Sequence, residues 1–312
     1  MSAMSATPSV HAVVVAYLPD IEALRALLIA LAPQVYCVQI IDNTPKADSR
    51  VPALLDELAL GHVHLLRLGE NFGIARALNE GAIAAIAAGA THLLLSDQDS
   101  LPRPDMVAGL LRAERELVAQ GERVGAVGPT FTEAHSGITS TFIAEMPNRL
   151  FYGHARTSLA RPLIEVLTLI TSGTLIPSAA WATIGPMRED FFIDKVDFEW
   201  CHRARAAGFQ LFGTAWATME HHLGDGVLRV WYLGWHYVSA HSPLRLYYRV
   251  RNYIALCKLR YVPMRWKVLN AWYTLGIAYS HVIFGRERIR ALHMALRGLW
   301  DGLRERMGRF SG

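Results

Sequence analysis

Apolar residues in the first half of the chain alternate between two periods. His11-Ala-Val-Val-Val-Ala-Tyr17 is a short β-branched run stopped by Pro19, which predicts a buried strand. Ile21, Leu24, Leu27, Leu28 and Leu31 then recur at helical intervals across 20–32, with Asp20 placed as the N-cap. The alternation continues with a strand over 35–41, a helix over 52–60, a strand over 63–66 and an Ala-rich helix over 74–88. A strand over 92–95, a helix over 104–120 and a strand over 124–128 follow. Strands separated by helices define an α/β chain with a doubly wound, mostly parallel sheet. Residues 130–162 keep no period and are rich in Thr, Ser, Gly and His, which reads as loops or a hairpin. Residues 169–177 are strand-like, 197–207 form a helix stopped by Gly208, and 210–217 form a strand. Beyond Pro243 the pattern is helical, basic and aromatic. There is no internal repeat or low-complexity tract.

Composition modifies this picture in one respect. An apolar share of 52% with 19% charged residues belongs to a folded chain, and a mean hydropathy of +0.20 points to an apolar surface or a membrane contact. Net charge is +4, but residues 241–312 hold 14 Lys/Arg against 3 Asp/Glu, while the remainder holds 17 against 24. A mildly acidic body therefore carries a strongly basic tail suited to anionic partners. Nucleic acid is disfavoured, because the body itself is acidic. The uncharged stretch 268–285 is interrupted by Asn270, Thr274, Ser280 and His281, so it fits an interfacial helix better than a membrane span. Cys37, Cys201 and Cys257 have no metal-binding spacing and fit reduced thiols in a cytoplasmic setting. No basic segment precedes the first apolar run, so a signal peptide is not expected.

Ligands of a doubly wound sheet bind at the carboxyl ends of its strands, and three polar clusters fall there. In Ser96-Asp97-Gln98-Asp99-Ser100, two carboxylates can face one hard cation, Mg²⁺ or Mn²⁺, which shares its coordination with substrate phosphates. The competing reading is a solvated acidic turn. Asp42-Asn43 closes another strand; such an Asp can accept from the imide N–H of uracil or thymine, or merely form an Asx-turn before Pro45. Asn71-Phe72-Gly73 opens a helix where Gly73 permits close approach, the N-terminus favours phosphate and Arg76 sits on the first turn; a plain loop-to-helix junction is the alternative. Later, Asp194, Asp197 and Glu199 crowd a helix entry where one can serve as general base. Against this stand helix capping and a Glu199–Arg203 pair, and a helix N-terminus makes a carboxylate a weaker base. His221-His222 offers an imidazole to a metal or diphosphate. Arg245 and Arg249 share a helix face that can grip phosphate.

Taken in order, these segments resemble glycosyltransferase family 2, and within it the bacterial rhamnosyltransferases. The match is carried by Asp42-Asn43, Asn71-Phe-Gly-Ile-Ala-x-Ala-x-Asn79-x-Gly81, Ser96-Asp-Gln-Asp-Ser100 and Thr171-Ser-Gly-Thr-Leu175. Further on it is carried by Phe191-Phe-Ile-Asp-x-Val-Asp-x-Glu-Trp-Cys-x-Arg-Ala-Arg205, His221 with Leu223-Gly-Asp225, and Arg245-x-Tyr-Tyr-x-x-Arg-Asn252. The resemblance implies a GT-A catalytic domain over 1–240 and a helical extension over 241–312 that docks on an anionic membrane or makes a homodimer contact. It implies that Tyr17 and Asp42 meet the nucleotide base and that Asn43, Asn71, Gly73, Arg76, Asp97 and Gln98 complete the donor site. Asp97, Asp99 and His221 would hold the metal, with Asp99 the more direct ligand, and Asp197 would be the catalytic base. Thr171, Ser172 and Gly173 would line the acceptor side together with Asp194 and Glu199. The implied reaction inverts the anomeric centre, taking L-rhamnose from dTDP-L-rhamnose to a lipid-linked glycan at the inner face of the plasma membrane. A UDP-hexose donor, or a catalytically silent glycan- or membrane-binding module, are the alternatives. Three departures from the family pattern bear on the site. Val196 precedes Asp197 where an acidic residue is common, which keeps Asp194 and Glu199 as rival bases. Ala16 stands where a hydroxyl residue is common, and the His221-His222 doublet leaves two candidate ligands.

Overall fold

A computed structural model describes residues 7–46, 49–133, 139–146, 152–221, 227–231 and 234–311. The chain opens on β1 (Val10–Ala16), buried throughout, and α1 (Ile21–Leu31), whose N-cap Asp20 accepts from the Glu22 and Ala23 N–H groups. β2 (Cys37–Asp42), α2 (Arg50–Leu58), β3 (Val63–Arg67), α3 (Ile74–Ala87) and β4 (His92–Asp97) follow, as the hydropathy pattern predicts. The four strands pair in parallel in the order β3-β2-β1-β4. Their side chains serve two cores in strict alternation. Val13, Val15, Leu93 and Leu95 face the layer that holds α3, whereas Ala12, Val14, Ala16 and Leu94 face α1. The small residues of α3 let it lie close on the sheet: a Cβ at Gly81 would stand 2.3 Å from Val13 Cγ1.

The second half of the sheet is mixed. β5 (Leu101–Pro102) and α4 (Met106–Ala119) lead to the long β6 (Val124–Glu133). The region without a period contains an antiparallel pair, β7 (Phe142–Ala144) with β8 (Gly153–Ala155), and then β9 (Leu163–Val166). β10 (Thr174–Pro177), α5 (Ser178–Ile184), α6 (Val196–Ala206) and β11 (Gln210–His221) complete the nine-stranded sheet. Its order is β3-β2-β1-β4-β10-β6-β11-β5, with β9 on β11. β10 is antiparallel to both β4 and β6, and β5 and β9 are antiparallel to β11. The antiparallel β10 brings residues 171–173 beside the carboxyl end of β4, which matters for the site.

The C-terminal region holds an antiparallel pair, β12 (Val227–Trp231) and β13 (Trp235–Ser239), then α7 (Pro243–Lys258), α8 (Met264–Phe284) and α9 (Arg288–Leu303). Ser242 caps α7 by accepting from the Arg245 N–H. No described helix is long and apolar enough to cross a membrane. The three helices are tied to the sheet-bearing body by buried polar contacts. Arg251, fully buried, donates to the carbonyls of Asp190, Phe191 and Gly308. The amide of Asn252 donates to the carbonyls of Phe191, Ile193 and Asp194 at 2.7–2.9 Å. Buried carbonyls need such donors, and a loop has no ladder to supply them. The loop needs them more than most, because Phe192, Asp194 and Lys195 all take left-handed backbone angles.

Candidate active site

The carboxyl ends of the central strands finish level. Ala16 pairs with Asp42 across β1 and β2, and Val15 pairs with Asp97 across β1 and β4. Tyr17, Asp42 and Asp97 therefore rim one cleft, with Tyr17 42% exposed at its mouth. Side chains lock this rim. Gln98 Oε1 accepts from the Tyr17 N–H at 2.7 Å and its Nε2 donates back to the Tyr17 carbonyl. Gln98, expected in the donor site, instead spends its amide on joining the ends of β1 and β4. Asp42 is buried and its Oδ1 accepts from the Thr44 N–H, so the Asx-turn considered from sequence is present, while Thr44 Oγ1 accepts from Leu18.

The segment 71–76 needs a correction. Gly73 takes φ 85°, and a Cβ there would stand 2.4 Å from the Phe192 carbonyl oxygen. That carbonyl accepts the Ile74 N–H at 2.7 Å. The close approach that glycine permits is thus by the chain's own 190–194 loop, and a first-turn donor expected for phosphate is taken. Asn43 and Asn71 hold each other: Asn43 Nδ2 donates to Asn71 Oδ1, which also accepts from Gly73, and Asn43 Oδ1 accepts from the Phe72 N–H. Arg76 lies over the Phe72 ring at 4.5 Å and pairs with Glu80.

Beyond β4, Asp97 and Asp99 are half-buried. Burial and the charge of Asp99 push the Asp97 carboxyl up to about 7, with Arg245 opposing. A carboxyl that resists ionising beside a second acidic side chain suits a divalent cation, which supplies the missing positive charge. Among the described residues, no group of three or more His, Cys, Asp or Glu side chains could hold a metal. Two carboxylates do match a cation that completes its shell with water and diphosphate oxygens. His221 ends β11; its side chain, His222 and the Leu223-Gly-Asp225 segment lie outside the described residues. The turn is braced from β10. Ser172 Oγ accepts from the Asp97 N–H at 3.2 Å and bonds Ser100 Oγ, and the Gly173 N–H reaches the Leu95 carbonyl. Ser172 and Gly173 are buried and support the acidic turn, while Thr171 is half-exposed.

The three rival carboxylates separate cleanly. Glu199 is fully buried; Arg203 grips it at 2.9 and 3.0 Å, and the Tyr261 hydroxyl donates to it at 2.5 Å. The i, i+4 pair considered from sequence is present, and Glu199 is not on an acceptor surface. Asp194 pairs with Arg245 at 3.2 Å. Asp197 is half-exposed in the first turn of α6, where its Oδ1 accepts from the Phe198 N–H. Helix entry alone predicts a weakened base, yet burial outweighs it and pushes the Asp197 carboxyl up to about 6, with Phe198 and Lys195 pulling it down and Asp194 and Asp97 raising it. Arg249, beside this group on α7, bonds His241. Lys195, Asn270 and the Arg251–Asn252 staple were not singled out as site residues from sequence. Their signals were an acidic run that included Lys195 and an uncharged helix too polar for a membrane span.

No protein-family model matches the chain. The dTDP-rhamnosyl transferase RfbF of Shigella flexneri is 29% identical over 297 residues, 95% of this chain and 96% of that protein. Two crystal structures share the fold at lower identity. GalNAc-T7 with UDP, GalNAc and Mn²⁺ gives a TM-score of 0.54 at 15% identity, covering 88% of this chain and 57% of that one. TarS of S. aureus gives 0.53 at 13%, covering 95% and 49%, so this chain spans about half of each of those structures. The fold is GT-A, and together with the full-length relative it makes the chain a glycosyltransferase. Within that class it is similar to a bacterial dTDP-rhamnosyl transferase.

Proposed function

We propose that the chain moves L-rhamnose from dTDP-L-rhamnose to a glycan hydroxyl with inversion at the anomeric carbon. The observation that carries this reading is the meeting of two acidic groups in one cleft: the Asp97–Asp99 turn, and a half-exposed Asp197 whose charge is coupled to Asp97. A bound Mg²⁺ or Mn²⁺, held by Asp97 and Asp99, would supply charge stabilisation for the departing diphosphate. Tyr17 and Asp42 lie where the base of the nucleotide would sit at the end of β1 and β2. Arg245, paired with Asp194, and Arg249, bonded to His241, bring positive charge near Asp97 and Asp197, where phosphate charge would be met. Asp197 takes the proton of the acceptor hydroxyl as its oxygen attacks the anomeric carbon and the bond to the diphosphate breaks. The donor identity follows the name of the full-length relative. In a thermal-shift panel with Mg²⁺ or Mn²⁺, dTDP-L-rhamnose should raise the midpoint more than UDP-hexoses. Saturation at a hundred times Kd corresponds to about 2.7 kcal/mol. A larger shift with a UDP-hexose reassigns the donor; no shift with any sugar nucleotide leaves a silent binding module.

The acceptor is proposed to be lipid-linked, with the enzyme peripheral on the inner face of the plasma membrane and residues 241–312 as its docking part. Met264, Val268, Trp272, Leu275, Tyr279 and Ile283 recur at helical spacing on α8 and are all exposed, Trp272 by 73%. On α9, Ile289, Leu292, Leu296, Trp300 and Leu303 form a second exposed stripe. Arg290, Arg297 and Arg304 follow that stripe one position on, which gives the apolar strip a cationic edge for anionic headgroups. The full-length protein should sediment with vesicles containing phosphatidylglycerol, and less so in high salt. Protein left in the supernatant, or a dimer that hides both stripes in light scattering, removes this part of the reading.

A further inference from the structure

Lys195 is a buried lysine to which sugar transfer assigns no task. It adopts left-handed backbone (φ 65°, ψ 7°) at the N-cap of α6, two residues ahead of Asp197. A residue with a Cβ holds that conformation at a cost of about 1 kcal/mol or more, so its surroundings must fix it. They do so from another layer of the fold. Lys195 is 7% exposed, and its Nζ donates to Asn270 Oδ1 at 2.7 Å. The same nitrogen lies 4.6 Å from the Phe198 ring centre and 5.7 Å from that of Trp266. Asn270 and Trp266 are buried and four residues apart on α8, so one face of that helix forms the clamp. Burial, with the charge of Arg249, pulls the Lys195 amine down to about 7, and the carboxylates of Asp197 and Asp194 oppose the shift.

We propose that Lys195, clamped by Asn270, is a positioning residue for transfer: it fixes the start of α6, which carries Asp197 in its first turn, and so makes α8 part of the catalytic apparatus. This rests on Asp197 being the base. The charged groups acting on Asp197 come from every side. Asp97 lies at the end of β4, Asp194 and Lys195 are on the preceding loop, and Arg249 is on α7. Arg245 is committed to Asp194.

The test compares transfer from dTDP-L-rhamnose by the full-length wild type, K195M, K195R and N270L. Methionine keeps most of the lysine stem and removes the charge, whereas arginine keeps the charge. K195M should lower kcat by about 30-fold or more while the donor KM changes less than about threefold, the split expected for a group acting only at the transition state. N270L should move kcat in the same direction by about fivefold, and K195R should recover to within about tenfold of wild type. The proposal is overturned if folded K195M keeps kcat within about threefold of wild type. It is equally overturned if K195R is as impaired as K195M at an unchanged thermal midpoint, because the lysine then only fills space. Should K195M fail to fold, N270L decides: an unchanged kcat sinks the clamp. A wild type that turns over no sugar nucleotide refutes the transferase reading itself, and the inference falls with it, an outcome distinct from active wild type with unaffected variants.

Discussion

Asp197→Asn should lower kcat for sugar transfer by about 10²- to 10⁴-fold, the range of a lost general base, while the donor still binds. Asparagine keeps the shape and can still accept the Phe198 N–H that Asp197 Oδ1 accepts now, so the start of α6 is preserved. Only the capacity to take a proton is removed. The pH dependence should carry the same signature. Burial holds the Asp197 carboxyl near 6, and a base works in its ionised form, so kcat/KM for the donor should rise with pH through about 6 and level above it. Steady-state kinetics across pH 5–8, with donor binding measured by calorimetry, check both points. Transfer at the wild-type rate by Asp197→Asn would move the base to Asp194, since Glu199 is sealed between Arg203 and Tyr261.

The largest effect on stability is expected at Asn252. Its amide satisfies the carbonyls of Phe191, Ile193 and Asp194, and Arg251 provides a second donor only to Phe191. Asn252→Leu therefore strands two carbonyls within a strained loop, a loss of about 2–5 kcal/mol. Urea unfolding should show the midpoint falling at an unchanged slope. Activity should fall too, because this loop supplies the Phe192 carbonyl to α3 and carries Lys195 toward Asp197. A change below about 1 kcal/mol would mean that water takes over the role of the amide.

The sheet was legible where local pattern decides structure. β-branched runs at 10–16 and 37–42, with the helical spacing of 21–31, identify parallel strands and the helices between them before any coordinates. β5, β9 and β10 are two to four residues long and antiparallel, and nothing in so short a run reveals its partner. The same division holds in the cleft. That Asp42 and Asp97 end strands is a local fact, and both lie at the cleft. What each polar group does with its hydrogen bonds depends on distant residues. Gln98 answers to Tyr17, Ser172 to Asp97, and Gly73 to Phe192. Those partners are 75 or more residues apart in every case, and no spacing rule connects them. Burial was equally hidden, which is why the helix entry alone misjudged the basicity of Asp197.

The staple at Arg251 and Asn252 bears on how this enzyme can be recombined. Sequence alone invites a cut near residue 240, with the front half treated as a portable catalytic cassette and the rest as an interchangeable anchor. Such a cassette would leave behind the donors that shape the loop ahead of Asp197, and with α8 the amide that meets Lys195. Chimeras that exchange acceptor preference between relatives should therefore join within β1 to α6 or at the far terminus, and inherit α7 and α8 from the same parent as Asp197.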